Sequence, residues 1–501
     1  MKSLIIKIIV LVGLGIFMLS CSDDYLDLDP TEAISEADVF TNTNNAWPAL
    51  SGIHRFMYMN QRPGGGHSSH AGHGGNLIMH EMMGEDLVNH DTGGNWFIGV
   101  HNWISHRNES GTYTIYPYRF FYTIIANANM IIKYIGDAEG PTYDKEFIKG
   151  QALAYRAWAY HQLVQAYAKR YDWNAKPNNQ LGVPLVLAPT TQGFPRETVE
   201  NVYEQINIDL TNAIELLKNK NHIPFSTETP KSHITIDVAK GMKARVALTQ
   251  GNWERAAQLA NEARQNWPLM DEDELLSGFN NKDNPEFMWV SHITQEHTYA
   301  FSSFFSYMSW NRNSTNVRNN PKKICGNLYE KISDTDLRKQ WFASSDEEAR
   351  ERQPNTSYTA VQYMSFKIMA PDEASGRGDL CYMRTAEMYL IEAEALARAG
   401  IEGEARSVLY DLISTRDSDY ELSTKSGDDL IEEILTHRRI ELWGEGFRWL
   451  DLKRLNLALE RDPESHATVT TTWEIPINDI LWQYRIPRAE INANPLIIQN
   501  D

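Results

Sequence analysis

Residues 383–416 read MRTAEMYLIEAEALARAGIEGEARSVLYDLISTR. Ala386, Leu390, Ala393 and Ala397 recur at three- and four-residue spacing, so they share one face of a helix. Gly400 is a natural stop, because glycine adopts the left-handed conformation that ends helices. Ala405, Val408, Leu409, Leu412 and Ile413 then form the apolar stripe of a second helix. Helix, short glycine turn, helix, with alanine where the two must approach closely, is the tetratricopeptide style of repeat.

The same design stands upstream. A helix is expected over 237–250, a break at Gly251 and Asn252, and a partner helix over 253–266. Ala244, Ala247, Ala256, Ala257, Ala260 and Ala263 supply the small contact residues. Helical periodicity also runs over 118–135, 147–171 and 201–217. Long mixed segments separate these elements. The expected fold is therefore mainly α: an α/α superhelix of tetratricopeptide-like helix pairs with long loop-rich insertions. The loops at 60–111, with a short helical piece at 77–88, and at 285–325 are where function is expected to sit.

The chain has 501 residues, 42% hydrophobic and 23% charged, the composition of a packed globular protein. Its formal charge of -19 opposes bulk attraction to nucleic acid phosphates or anionic lipid. Three cysteines make no disulfide framework, and the pairing of Cys325 with Cys381 stays open. Lys2 and Lys7 precede an uncharged, apolar run of 12 residues, Ile8 to Leu19, and then Ser20 and Cys21. This is a secretory signal over 1–20, too short for a comfortable membrane span of ~20 residues. Ser20–Cys21 resembles a bacterial lipoprotein box, with Met18 where leucine is usual, so Cys21 is the expected lipidation site.

Several ordered segments carry a family resemblance. They are CSDDYLDLDP at 21–30, YRAWAYHQLVQAYAKRYDW at 155–173, LGVPLV at 181–186, LCYMRTAEMYLIEAEALARAG at 380–400, HRRIELWGEGFRWLDLKR at 437–454 and IPRAEINANPLIIQN at 486–500. Together they resemble the SusD/RagB family of outer-membrane nutrient-binding lipoproteins over the whole mature chain. The resemblance implies a lipid-attached tether and first helix over 21–43 and one SusD-like domain over 44–501. That domain divides into an N-terminal helical part, 44–275, and a part with the loop insertion and signature motifs, 276–501. It also implies a non-catalytic surface lipoprotein, without cofactor. Such a protein binds a glycan and delivers it to a SusC-like TonB-dependent transporter. A RagB-type peptide binder is an alternative on the same scaffold, and a glycoside hydrolase is a second.

Other motifs weigh against catalysis or metal. His67, His70 and His73 recur among glycines near His80, Glu81, Glu85 and Asp86, but a flexible glycine loop is costly to order around a metal, and an exposed loop is expected. HEMMG at 80–84 places Gly84 where a zinc protease needs its second histidine, and the glycine stretch lacks a phosphate-loop ending. Arg438, Arg439, Glu441, Glu445, Arg448, Asp451 and Arg454 read as an ion-pair network, with Arg438–Glu441 and Arg448–Asp451 at helical contact spacing.

Sugars present C–H faces that pack on flat rings and hydroxyls that need amide or charged partners. Ring and amide adjoin outside the scaffold helices at Trp96 with Asn95, Trp103 with Asn102, and Trp310 with Tyr307 and Asn311. If 301–310 is a helix, Phe301, Phe304, Phe305 and Met308 face the core, while Trp310 and Tyr307 face outward. At least one of the three tryptophans is expected to form the glycan platform, with the two loop regions brought together.

Overall fold

A computed structural model of the protein describes residues 39–60, 68–90, 96–219, 230–294, 302–466 and 469–501. The expected signal over 1–20, the expected lipidation site Cys21, most of the expected tether, His67 and Asn95 lie outside them. The first described long helix is α1 (Thr43–Tyr58). Asn42 caps it by accepting the Asn45 N–H at 2.9 Å. Then come α2 (His73–Met82), strand β1 (Leu87–Asn89), α3 (Thr112–Tyr134), α4 (Thr142–Tyr167) and α5 (Val199–Leu217). The pair α6 (Ile236–Thr249) and α7 (Trp253–Arg264) follows, then β2 (Phe287–Val290), β3 (Lys322–Ile324) and β4 (Cys381–Arg384). The chain closes with α8 (Thr385–Arg398), α9 (Glu402–Ile413), α10 (Gly427–Glu441) and α11 (Arg448–Leu455).

Consecutive helices pack side by side from α3 to α7, then α7 on α8, and α8 on both α9 and α10. Helix α4 is buried on nearly every side, from Phe147 to Tyr167, because α3 and α5 cover opposite faces. Its alanines at 152, 154, 157 and 159 permit that close approach. Its buried cation is satisfied: Arg156 donates two hydrogen bonds of 2.7 Å to Asp209 on α5 and one of 2.8 Å to Asn129 on α3. The turns of the two helix pairs use glycine as read, with Gly251 at φ +67° and Gly400 at φ +77°. Thr198 and Thr235 cap α5 and α6.

Short strands bring the insertion home. β2 and β4 pair antiparallel, so the chain leaves after α7 and returns to set α8 against it. The two helix pairs, far apart in sequence, thereby stack in one superhelix. β1 pairs antiparallel with β3, Leu87 opposite Ile324, which ties the early loop region to the insertion. One apolar core runs from Phe40 to Ile497. A small second cluster of Ala343, Ala349, Met364 and Phe366 lies beneath Trp310. No described helix is long and apolar enough to cross a membrane.

Candidate functional site

The charged residues of 437–454 are largely taken up by one another and by buried partners from elsewhere in the chain. Glu441 is fully buried among Arg384 at 2.7 Å, Arg338 at 3.0 Å and Arg416 at 3.3 Å. Glu445 takes Arg384 and Lys367, Glu286 takes Arg384 and Arg416, and Asp336 takes Arg338. Arg338, Arg384, Arg416 and Lys367 thus balance Glu286, Asp336, Glu441 and Glu445 charge for charge. The two local pairs expected from spacing do not form. Arg438 reaches Asp451 at 2.7 Å, Arg454 reaches the same carboxylate at 2.7 Å, and Arg448 reaches across to Glu85 and Asp86. Each expected pair lies on one helix, Arg438 and Glu441 on α10 and Arg448 and Asp451 on α11, but other partners take the carboxylates: Arg338, Arg384 and Arg416 take Glu441, and Arg438 and Arg454 take Asp451.

The pairs around Asp451 are expected to make the fold acid-sensitive. Burial alone would raise the Asp451 carboxyl, but Arg438 and Arg454 together outweigh it and hold the group at about 2. Its folded value lies below the unfolded value of about 3.9, so its stabilising contribution is complete above that pH and disappears as pH falls towards 2. Asp451→Asn should therefore flatten the loss of urea-midpoint stability between about pH 4 and pH 2. Equal slopes for variant and wild type would remove Asp451 from the acid response.

The histidine stretch is not the exposed loop expected from its glycines. His70 and His73 are buried, with ring centroids 4.8 Å from Tyr116 and 4.8 Å from Trp158 respectively. The helix here spans His73–Met82 rather than 77–88, because its glycines fit against neighbouring backbone and side chains. His80 packs on Trp449 at 5.0 Å, and burial, with Lys453 nearby, lowers it to about 3, so its imidazole is neutral. Among the described residues no three His, Cys, Asp or Glu side chains gather as metal ligands.

The two loop regions do meet. The Tyr307 hydroxyl donates to the Trp96 carbonyl at 3.1 Å, and the Tyr307 ring stands 4.9 Å from Phe97. Phe97 sits in the left-handed region at φ +62°, held by its buried ring and by its N–H bond to the Tyr113 hydroxyl at 3.2 Å. That conformation sets the direction in which the chain presents Trp96. Lys322 lies beneath, its ammonium 4.0 Å from the Tyr307 ring centre and 2.6 Å from the Asn320 carbonyl; burial lowers it to about 7.

Four of the sequence-derived site residues are structural. Trp103 is buried, donates its indole N–H to the Met83 carbonyl at 3.0 Å and stands edge-on to Trp482 at 4.7 Å. Asn102 spends its amide on the Val469 carbonyl and the Thr471 N–H. Asn311 spends its amide on the backbone of Ala370, with both bonds at 2.8 Å. Tyr307 is buried, against the outward direction read from a helical wheel. Only Phe305–Met308 is helical, and this single turn is covered on more than one side.

Trp96 and Trp310 remain half-buried. Trp310 lies 5.2 Å from Phe366, and the Arg352 guanidinium lies 3.8 Å from the Phe366 ring centre. The Trp310 carbonyl accepts from the Gln353 amide at 3.3 Å. Arg350 donates to the carbonyls of Gln353, Asn355 and Tyr358. The Arg318 carbonyl accepts the Thr359 N–H at 2.7 Å, next to Ala360 and Val361, which pack with Trp310 on the small cluster. Rings, amides and guanidinium groups thus adjoin around Trp310. Sequence reasoning missed Arg318, Arg350, Gln353 and Phe366. One signal was available: residues 297–329 hold no Asp or Glu while containing Arg312, Arg318, Lys322 and Lys323.

Comparison with known proteins agrees with this architecture. Residues 76–248 match a family model described as starch-binding and associating with the outer membrane. Residues 277–501 match the SusD family model, so the two matches together span most of the chain. The SusD-like protein P38 of Formosa agariphila is 22% identical over 382 residues, 68% of this chain and 72% of that protein. A SusD superfamily structure from Bacteroides thetaiotaomicron superposes with a TM-score of 0.77 at 24% identity, covering 92% of this chain and 100% of that one. A laminarin-binding SusD-like protein superposes at 0.69 with 20% identity, covering 92% and 99%. At these identities the superpositions concern the fold, and the family is carried by the sequence models: the chain belongs to the SusD family.

Proposed function

We propose that this protein is a non-catalytic, lipid-anchored glycan-binding protein on the outer face of the outer membrane. It holds an oligo- or polysaccharide on Trp96 and Trp310 and delivers it to a SusC-like TonB-dependent transporter. The observation that carries the site is the Tyr307–Trp96 hydrogen bond of 3.1 Å, which ties the loop bearing one tryptophan to the loop bearing the other. Half-buried rings of this kind offer a flat apolar face at little cost in side-chain entropy, and the polar groups beside Trp310 suit hydroxyls. The starch-binding description of one family model and the laminarin-binding neighbour support a glycan as cargo. The apolar run before Cys21 supports the anchor, and the family resemblance supports the transporter.

Trp96→Ala and Trp310→Ala test the platform, each checked for folding by circular dichroism. With a polysaccharide that wild type binds, at least one should weaken binding by about thirtyfold, the equivalent of ~2 kcal/mol. Wild-type affinity in both folded variants would refute this site. Binding of peptides and no glycan would favour the RagB-type alternative.

A further inference from the structure

The charge around Trp310 points to a narrower class of cargo. In the whole chain acids outnumber bases 66 to 47, yet residues 297–329 carry four bases and no acid. Within the fold its described part, 302–329, meets the stretch after Arg350 and Arg352 through the Gln353–Trp310 and Thr359–Arg318 hydrogen bonds. Arg352 is paired with Glu348 at 3.2 Å. Arg318, Arg350 and Arg377, by contrast, belong to no ion pair among the described residues. Arg350 donates to three backbone carbonyls and, among the described residues, makes no ion pair with the acids of its own helix. Arg318 is half-exposed, with a buried Nε that has no hydrogen-bond partner. The Arg350 guanidinium meets the Tyr358 carbonyl and the Arg318 backbone meets Thr359, next to Ala360 and Val361, which pack with Trp310 on the small cluster. Asp372 accepts the Ala374 N–H in its own turn and lies within electrostatic reach of Arg377 and Arg312, while Glu373 is exposed and acts, like Arg318, on the Tyr358 hydroxyl.

Guanidinium groups without a carboxylate ion pair, on segments that pack near a half-buried aromatic ring, are suited to an oxyanion carried on a sugar ring. We propose that the platform takes an anionic glycan, one bearing carboxylate or sulfate groups, with Arg318 pairing the oxyanion while Trp310 stacks on the ring. This rests on the platform reading above and specifies its ligand. A neutral glycan would gain nothing from these guanidinium charges, which the protein carries against an overall charge of -19.

The test uses the mature protein with three probes: polygalacturonate, a sulfated carrageenan and neutral laminarin, compared by affinity electrophoresis and calorimetry. Wild type should bind at least one anionic polymer more tightly than laminarin, and less tightly as sodium chloride is raised. Binding of polygalacturonate assigns the carboxylate, and binding of carrageenan the sulfate. Arg318→Gln should weaken the anionic polymer by about tenfold, since it removes a charge-assisted pair while keeping a side chain of similar polarity. Trp310→Ala should weaken it as well. Preference for laminarin, or binding of neither anionic polymer, overturns the proposal. So does an unchanged affinity in folded Arg318→Gln. If Arg318→Gln weakens the anionic polymer while Trp96→Ala and Trp310→Ala bind it like wild type, the platform reading fails and the charge assignment stands.

Discussion

Glu441→Ala should cost the folded state about 3–5 kcal/mol, the range for breaking a buried ion pair from one side. The glutamate is fully buried, and its two oxygens serve Arg384, Arg416 and Arg338. Burial opposes its ionisation, yet the three guanidinium groups hold its carboxyl well below the usual range. Removing it leaves the core with one unmatched positive charge. A neutral alanine also opens a cavity between α10 and the β4–α8 junction. Urea unfolding followed by circular dichroism measures the loss. Glu432→Ala is the contrast, because Glu432 is exposed and its 3.8 Å contact with Lys331 is worth at most ~1 kcal/mol. Equal losses in the two variants would show that the central network adds nothing to the stability of the fold.

Gly75→Ala should also destabilise strongly, although helix propensity argues the opposite. Gly75 lies inside α2, where alanine is intrinsically better by ~0.5–1 kcal/mol. A Cβ at this position would stand 2.1 Å from the Ser69 carbonyl oxygen and 2.9 Å from its carbon. Those atoms are backbone and cannot rotate away, so the helix start must shift against the 68–70 turn. The expected net loss is about 1–3 kcal/mol. Gly52→Ala is the control: Gly52 is inside α1 with nothing within 4 Å of the added carbon, so it should stabilise by ~0.5–1 kcal/mol. Stabilisation in both variants would mean that the 68–75 segment is loosely packed.

The contrast between these glycines explains one misreading. In sequence, GGGHSSHAGHGG signals a flexible exposed loop, because glycine and polar residues cluster without a period. In the fold, Gly75 is a point of close approach, and His70 and His73 are buried on aromatic rings. Composition registers the lack of side chains but not what occupies the space they leave. Tyr307 was misread for a related reason. A helical wheel assumes one buried face, whereas the insertion around 305–308 is covered on several sides.

The sequence by itself determined the helix pairs at 236–264 and 385–413, their turn glycines and the role of their alanines. These are set by local periodicity and by backbone conformation, which neighbouring residues dictate. It also marked tryptophan with asparagine in two loop regions as the place to look for a site. The tertiary structure alone decided which of those tryptophans keep part of a ring at the surface. It also decided that Arg448 answers Glu85 and Asp86 across the molecule rather than Asp451 three residues away. Burial and ion pairing depend on contacts between segments hundreds of residues apart, such as α2 with α11 and β1 with β3. No local spacing encodes those contacts, because a partner brought in by the fold outcompetes one three residues away on the same helix.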